Sequence, residues 1–174
     1  MVTKDIVNAL KRGESWAHRA SYDLCAPKLL AVLVQIFNDR HQAEDILQES
    51  FIAAFDKINS LQEEMHFYSW LKRIAINKSI RQLQSKRYQY ENEDLKDEHH
   101  VLVTSGDIFD NGILQVFTYL DEQSKLVVWM YVVEEYNHYE IAALFNKSVS
   151  FSKSIVSRSL AILREKCRLS DYVE

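Results

Sequence analysis

The 174-residue chain has few residues that end helices or form tight turns, with three glycines and one proline. Sandwiches and barrels need many turns, so this scarcity excludes most all-β folds. The two cysteines, Cys25 and Cys167, lie far apart with no metal-ligand spacing, and we expect both to be free thiols in a cytoplasmic protein. No apolar run approaches the length of about 20 residues that spans a membrane, and no signal-peptide core opens the chain, so we expect no membrane insertion.

The charges are unevenly distributed, although the net charge is only −4. Residues 72–87 contain six lysines and arginines and no acid, and residues 147–168 contain six more with one acid. Between these two basic segments, residues 91–110 are rich in carboxylates. A basic, acidic, basic order favours two binding modules with a charged connector, and ordinary solvated helix faces are the alternative.

Apolar residues recur at helical spacing in two blocks, from about residue 14 to 88 and from 113 to 168. Pro27 is expected near the start of a helix, where its missing N–H costs least. Residues 126–133 could form a buried strand, but the length of the segment and the cap-like Asp121 favour a helix. The sequence therefore predicts an all-α fold with two helical domains, 1–88 and 113–174, joined by a flexible acidic linker over residues 89–112.

The stretch AEDILQESF, residues 43–51, predicts a helix with one acidic side. If Leu47 and Phe51 face the core, the opposite side carries an exposed isoleucine among acids and an amide. An apolar anchor surrounded by charges is typical of a helix that binds another protein, and a solvated acidic face is the alternative. The residues of this outer side include Asp45, Gln48, Glu49 and Ile52.

The helix predicted over residues 67–84 places an aromatic ring, two guanidinium groups and an amide on one side. These groups belong to Trp70, Arg73, Asn77 and Arg81, and Lys72 adds positive charge. Unpaired bases stack on aromatic and guanidinium planes, so this side suits a single DNA strand. The alternative is that Trp70 is mainly a core residue.

Residues 137–167 follow the pattern of a helix-turn-helix, and a plain helical hairpin is the alternative. Asn146 tolerates the left-handed conformation that such a turn needs, and Ser148 can cap the second helix. That helix is expected to bury Val149, Val156, Leu160 and Leu163. Its predicted outer face consists of Ser150, Phe151, Lys153, Ser154, Ser157 and Arg158.

Taken together, AEDILQESF, FYSWLKRIAINKSI and the helix-turn-helix resemble a bacterial RNA polymerase sigma factor of the extracytoplasmic-function group of the sigma-70 family. The resemblance implies a protein without catalytic activity or cofactor that binds core RNA polymerase and promoter DNA, with an anti-sigma factor as a further partner. It assigns polymerase binding to Glu44, Asp45, Gln48, Glu49 and Ile52. It assigns the single-stranded −10 element to Trp70, Lys72, Arg73, Asn77 and Arg81, a base pocket to the loop 59–66, and the −35 duplex to the outer face of the recognition helix.

Two other functions compete with this interpretation. A free-standing helix-turn-helix regulator would bind duplex DNA without polymerase. It would give no function to the motifs of the first helical block, residues 14–88. An enzyme could use a metal held by acids and histidines in the linker, although no helical ligand spacing is present. The candidate ligands are Asp94, Asp97, His99, His100 and Asp107.

Overall fold

The computed structural model describes residues 2–62, 66–92 and 117–170, and the side chains of 2–62, 66–88 and 117–167. The described chain is helical and contains no strand, which confirms the predicted all-α class. Short 3-10 turns lie at Ile58–Ser60 and Phe117–Tyr119. The helices are α1 (Lys4–Lys11), α2 (Ser15–Phe37), α3 (Arg40–Asp56), α4 (Phe67–Asn92), α5 (Glu122–Val132), α6 (His138–Phe145) and α7 (Val149–Ser170).

The chain divides into two compact units, Met1–Gln82 and Leu83–Glu174. Helix α4 continues past residue 84, where the sequence analysis ended it, and runs to Asn92. Within the second unit, Lys86 Nζ lies 3.0 Å from Glu122 Oε1. Residues 93–112 of the predicted linker lie outside the described residues, so the predicted domain limits stay a prediction.

In the first unit, α2 packs along α3 through the apolar stripes that the sequence predicted. Leu29 and Leu33 of α2 and Leu47 and Phe51 of α3 are each at most 3% exposed. By length and composition alone α2 could cross a membrane. Core helices of globular proteins pass the same test, and the buried leucines show that α2 contributes to the core of this unit.

The position of Pro27 differs from the prediction, because this residue lies in the interior of α2 and not at its start. The helix begins twelve residues earlier at Ser15, and its first buried side chain is that of Ala17. A proline in this position removes one backbone hydrogen bond and crowds the carbonyl of Asp23, one turn earlier. Pro27 is exposed, so the apolar side of α2 is retained although the helix contains a proline.

In the second unit, residues 126–132 are helical, as predicted, and Val133 caps the end of α5, whose N-terminal cap is Asp121. The Asp121 carboxylate accepts a hydrogen bond from the Ser124 backbone N–H at 2.8 Å. Leu126, Val127 and Met130 of α5 are fully buried. Lys125 is also buried, and this burial lowers the pKa of its ammonium group, while the nearby Glu122 and Asp121 carboxylates partly oppose the shift.

Candidate functional site

The outer side of α3 is exposed and acidic, as the sequence predicted. Asp39 begins the helix by accepting hydrogen bonds from the backbone N–H groups of His41 and Gln42. The apolar residues of the stripe then face the core and leave the other side to solvent. The exposed side chains are Asp45, Gln48, Glu49 and Ile52, and that of Ile52 is 61% exposed.

The carboxylates of this surface have different surroundings. Glu44 pairs with Arg40 one turn earlier, at 2.8 Å. Glu49 accepts a hydrogen bond from Lys78 Nζ of α4, also at 2.8 Å. Within the described part of the chain, Asp45 and Gln48 form no hydrogen bond or ion pair, so they are available to a partner without breaking any contact.

A polar cleft of about 370 Å³ separates the acidic side of α3 from α4. Asp45 and Glu49 line one wall, and Lys78 and Gln82 line the other. Ile46 also lines the cleft and is itself buried. Two residues of the predicted protein-binding side therefore border a recess rather than a flat surface.

The predicted nucleic-acid side of α4 carries Arg73, Asn77 and Arg81, all of which are exposed. They recur at intervals of four residues, so they share one side of the helix. Among the residues that the structure describes, these three make no hydrogen bond or ion pair. Trp70, on the same side, is half-buried, and its ring centroid lies 6.2 Å from that of Phe67. The ring thus contributes partly to the core and keeps an accessible edge.

Lys72 lies on the same helix but is partly buried. Its ammonium group lies 5.4 Å from the centroid of the Tyr68 ring, within the range of a cation–π contact. Lys72 therefore adds positive charge beside the row of Trp70, Arg73, Asn77 and Arg81 while its side chain is held by a neighbouring ring.

Helices α6 and α7 meet through the turn that the sequence predicted. Asn137 and Glu140 form a capping box at the start of α6. Asn146 follows the helix in the left-handed conformation, with φ 52° and ψ 44°. Ser148 then stands immediately before α7, in the cap position, and its carbonyl accepts a hydrogen bond from the Phe151 N–H at 3.0 Å. The geometry of a helix-turn-helix follows from these local signals.

The outer face of α7 exposes three serines and two cations: Ser150, Lys153, Ser154, Ser157 and Arg158. The prediction that Phe151 is exposed was wrong. Phe151 is half-buried, with its ring centroid 5.3 Å from that of Phe145 of α6, because residue 151 lies one turn before the buried Ile155. Of the residues expected to be buried, Val156 is buried, whereas Val149, Leu160 and Leu163 are half-buried.

Comparisons with known proteins show what the whole chain is similar to. Residues 21–88 match the family model described as Sigma-70 region 2, which covers α3 and most of α4. Over 97% of its length the chain is 26% identical to the extracytoplasmic-function RNA polymerase sigma factor SigW of Bacillus subtilis, and the match covers 98% of that protein. The chain is therefore similar over nearly its whole length to a sigma factor of the extracytoplasmic-function group, and its residues 21–88 match sigma-70 region 2. It is an RNA polymerase sigma factor, and this result does not favour a free-standing regulator.

A further relative is similar to the chain in sequence, and two solved structures are similar to it in fold. A sigma-E factor of Haemophilus influenzae is 31% identical over 90 residues, which is 52% of this chain and 47% of that protein. The fold resembles that of sigma factor RpoE, solved with the anti-sigma factor NepR from Bartonella quintana, with a TM-score of 0.56, 20% identity and coverage of 86% and 96% of the two chains. It also resembles CnrH, solved with the cytosolic domain of CnrY, with a TM-score of 0.55, 18% identity and full coverage of both chains.

The loop between α3 and α4, which the resemblance assigned to a base pocket, is described only at residues 59–62 and 66. Leu61 is buried after the short 3-10 turn, and its carbonyl accepts a hydrogen bond from Lys11 Nζ of α1 at 3.2 Å. Sequence analysis did not identify Lys11, because a contact between residues fifty positions apart has no local pattern. In this sigma factor α1 therefore supports the start of the loop.

Three residues that the sequence analysis missed hold the sigma factor's recognition helix α7 in place. His138 Nδ1 lies 3.0 Å from the hydroxyl of Ser152, which is fully buried on α7. The His138 ring also stacks on Tyr131 of α5, with centroids 4.6 Å apart and an angle of 11° between the planes. Ser152 was the available signal in the sequence, because it falls at a core position of α7. A buried hydroxyl needs a hydrogen-bond partner, so a polar side chain was to be expected beside it.

The candidate metal ligands of the linker lie outside the described residues. In the rest of the chain, as far as the structure describes it, no three histidine, cysteine or acidic side chains lie together as a metal site would require. Cys25 is buried, which raises the pKa of its thiol, and Cys167 is partly exposed. Neither cysteine carries a role in the surfaces described above.

Proposed function

We propose that the outer side of α3 is the surface with which this sigma factor binds core RNA polymerase. The observation that carries this role is that Asp45, Gln48, Glu49 and Ile52 are all exposed on one side of a helix whose other side is core. Ile52 supplies an apolar anchor, and the acids set orientation and association rate against a basic partner. Glu44 contributes less, since its side chain is less exposed than that of Glu49.

The exposed side of α4 suits the −10 element as a melted non-template strand. Bases stack on the exposed part of the Trp70 ring, and Arg73 and Arg81 neutralise phosphates while the Asn77 amide hydrogen-bonds to bases. Lys72 strengthens the positive field. Extruding a base costs about a few kcal/mol of stacking, so a strand-binding face with a pocket nearby, in the loop 59–66, offsets part of the cost of opening the duplex.

The outer face of α7 suits the −35 element as duplex DNA in the major groove. Lys153 and Arg158 donate to base edges or phosphates, and the hydroxyls of Ser150, Ser154 and Ser157 are small enough to allow close approach. Phe151 reaches the groove only with one edge of its ring, because the other packs on α6. That edge suits contact with a thymine methyl group.

In this proposal residues 1–88 bind polymerase and the −10 element, residues 113–174 bind the −35 element, and residues 89–112 connect them. The protein acts in the cytoplasm, without a cofactor and without catalysis of its own. An anti-sigma factor is a further partner. Support for this partner comes from RpoE, which was solved in complex with the anti-sigma factor NepR.

A reconstitution experiment tests the proposal. The full chain is incubated with core RNA polymerase, recovered with it, and used for run-off transcription on fragmented genomic DNA. We expect co-purification and discrete transcripts whose upstream regions share −10 and −35 elements. Tight binding of the chain alone to a palindromic duplex, with no polymerase-dependent transcript, would instead establish a free-standing regulator.

A further inference from the structure

Lys78 connects the two predicted binding sides of the first unit. It follows Asn77 on α4, and its ammonium group donates a hydrogen bond to Glu49 Oε2 of α3 across the cleft, at 2.8 Å. The Lys78 side chain is 24% exposed, whereas that of Glu49 is 63% exposed. The lysine is therefore largely packed into the protein, and it holds the end of a side chain that would otherwise move freely in solvent.

This contact differs from the other ion pairs of the first unit. The others that the structure describes are Arg12 with Glu14, Arg19 with Asp23, and Arg40 with Glu44. They join residues only two or four positions apart, and such exposed pairs add little to stability. The Lys78–Glu49 pair joins two helices from positions 29 residues apart. Its main consequence is geometric, because it fixes where the Glu49 carboxylate lies on the edge of the cleft.

The pair leaves Glu49 able to bind a partner. Lys78 occupies Oε2, and Oε1 has no hydrogen-bond partner among the described residues. A flexible glutamate loses side-chain entropy when a partner immobilises it, and that loss weakens binding. A glutamate already held by a lysine from its own chain has lost part of this freedom before the partner arrives.

We propose that Lys78 is a positioning residue for polymerase binding, which acts by holding Glu49 in its binding orientation. This inference rests on the proposed role of the α3 surface. Lys78 itself does not contact the polymerase. Because it belongs to α4, it also ties the position of the polymerase-binding carboxylate to the helix proposed to hold the −10 strand.

A purely electrostatic role for Lys78 makes the opposite prediction. If the lysine only reduced the negative charge of the α3 surface, its removal would strengthen attraction to a basic partner and raise the association rate at low salt. If the lysine positions Glu49, its removal weakens binding, mainly through faster dissociation. The sign of the change therefore separates the two roles.

The test measures association and dissociation rates of the full chain with core RNA polymerase. Lys78→Met removes the ammonium group but keeps an apolar stem, and Lys78→Arg keeps a donor. Lys28→Met, at an exposed lysine of α2 away from the cleft, is the control for the same change in net charge. Glu49→Gln, alone and combined with Lys78→Met, shows whether Lys78 acts through Glu49.

We expect Lys78→Met to bind about three- to tenfold more weakly through faster dissociation, which is the effect of freeing one side chain. Lys78→Arg should restore affinity to within about twofold, Lys28→Met should bind like the wild type, and Lys78→Met should add nothing once Glu49→Gln is present. Unchanged or tighter binding of Lys78→Met, or losses that add in the double variant, would overturn the inference. If the wild-type chain itself does not bind core polymerase, the proposed function is refuted instead.

Discussion

Helices α3 and α7 are organised in the same way, but their exposed sides carry charges of opposite sign. Each begins at a polar cap residue, Asp39 or Ser148, and buries one apolar side in its own unit. The outer side of α3 carries carboxylates around Ile52, whereas the outer side of α7 carries Lys153 and Arg158 among serines. The difference teaches that the buried side fixes where a helix lies, and that the exposed side decides whether its partner is a basic protein surface or a polyanion.

The small size of the outer side chains sharpens this comparison. A recognition helix must approach base edges closely, and the serines of α7 allow that approach. A large apolar side chain at the position of one of these serines would obstruct the entry of α7 into the DNA groove. On α3, by contrast, the 61% exposed Ile52 can be buried by a protein partner. Exchanging the charge of either surface should therefore remove one interaction and spare the other.

Reversal of the α3 charge should have the largest effect. Asp45→Lys combined with Glu49→Lys should weaken binding to core polymerase about 100-fold or more, because two attractive contacts become repulsive. Affinity measured by fluorescence anisotropy tests this, with circular dichroism to verify unchanged helicity. Asp5→Lys combined with Asp23→Lys, at exposed acids of α1 and α2, is the control with the same change in net charge. Binding that survives the reversal at Asp45 and Glu49 would remove the role of this surface.

Trp70→Ala should reduce open-complex formation about 10- to 100-fold, since stacking of one base contributes about 1–3 kcal/mol. Binding to closed duplex promoter should change much less. Permanganate reactivity of thymines in the −10 region measures opening, and Trp70→Phe, which keeps a ring, should retain most of it. Equal losses in duplex binding and opening would show that Trp70 acts only through the core of its unit.

Arg158→Ala should lower initiation about tenfold at promoters that depend on the −35 element, because one base contact contributes about 1–3 kcal/mol. Promoters without that element should respond little. Transcription from matched templates with intact and mutated −35 elements checks this. If the loss is the same on both templates and only the salt dependence changes, Arg158 contacts phosphates rather than bases.

Pro27→Ala tests the proline in the interior of α2, which has no counterpart in α7. Restoring a backbone hydrogen bond and removing the crowding at Asp23 should raise the free energy of unfolding by about 1–2 kcal/mol, less than the full cost of an interior proline because proline also restricts the unfolded chain. Thermal and urea unfolding measure this change, with Lys28→Ala as the neighbouring control. A loss of stability would mean that the helix needs the proline for its shape.

Lys125→Met tests the buried charge of the second unit, for which we expect the smallest effect. Burial holds the pKa of Lys125 below its ordinary value of 10.5, so the unfolded chain binds more protons as the pH approaches 10.5 from below. The wild-type free energy of unfolding should therefore rise with pH across that range, and Lys125→Met should be more stable at neutral pH and lack this rise. Urea unfolding at several pH values measures both, and equal slopes for the two proteins would contradict the prediction.

Local signals allowed the sequence to predict most of the fold and of the exposed surfaces. Asp121 as a cap, Asn146 in a left-handed turn and the apolar stripe of α3 each depend on residues within a few positions, and the structure confirms them. Pro27 misled the prediction because its preference for helix starts is weaker than the tertiary packing of α2. Phe151 was misplaced because only the position of α6 decides which side of its ring is covered.

The contacts that the sequence could not reveal all join distant positions. Lys78 with Glu49, Lys11 with the Leu61 carbonyl, and His138 with Ser152 each connect different elements of one unit. A helical period predicts which residues share a side, but it does not predict which side chain of another helix meets them. The residues that position the binding surfaces are therefore harder to predict than the surfaces themselves.

Chemical footprinting of the two outer surfaces tests the central claim most directly. Carboxyl labelling of Asp45 and Glu49 and amine labelling of Lys153 are compared for the free chain, the chain with core polymerase, and the complex with −35 duplex added. We predict that polymerase alone shields Asp45 and Glu49, and that Lys153 loses reactivity only when the duplex is present. Protection of Lys153 by polymerase alone, with Asp45 and Glu49 still reactive, would contradict the assignment of partners to α3 and α7.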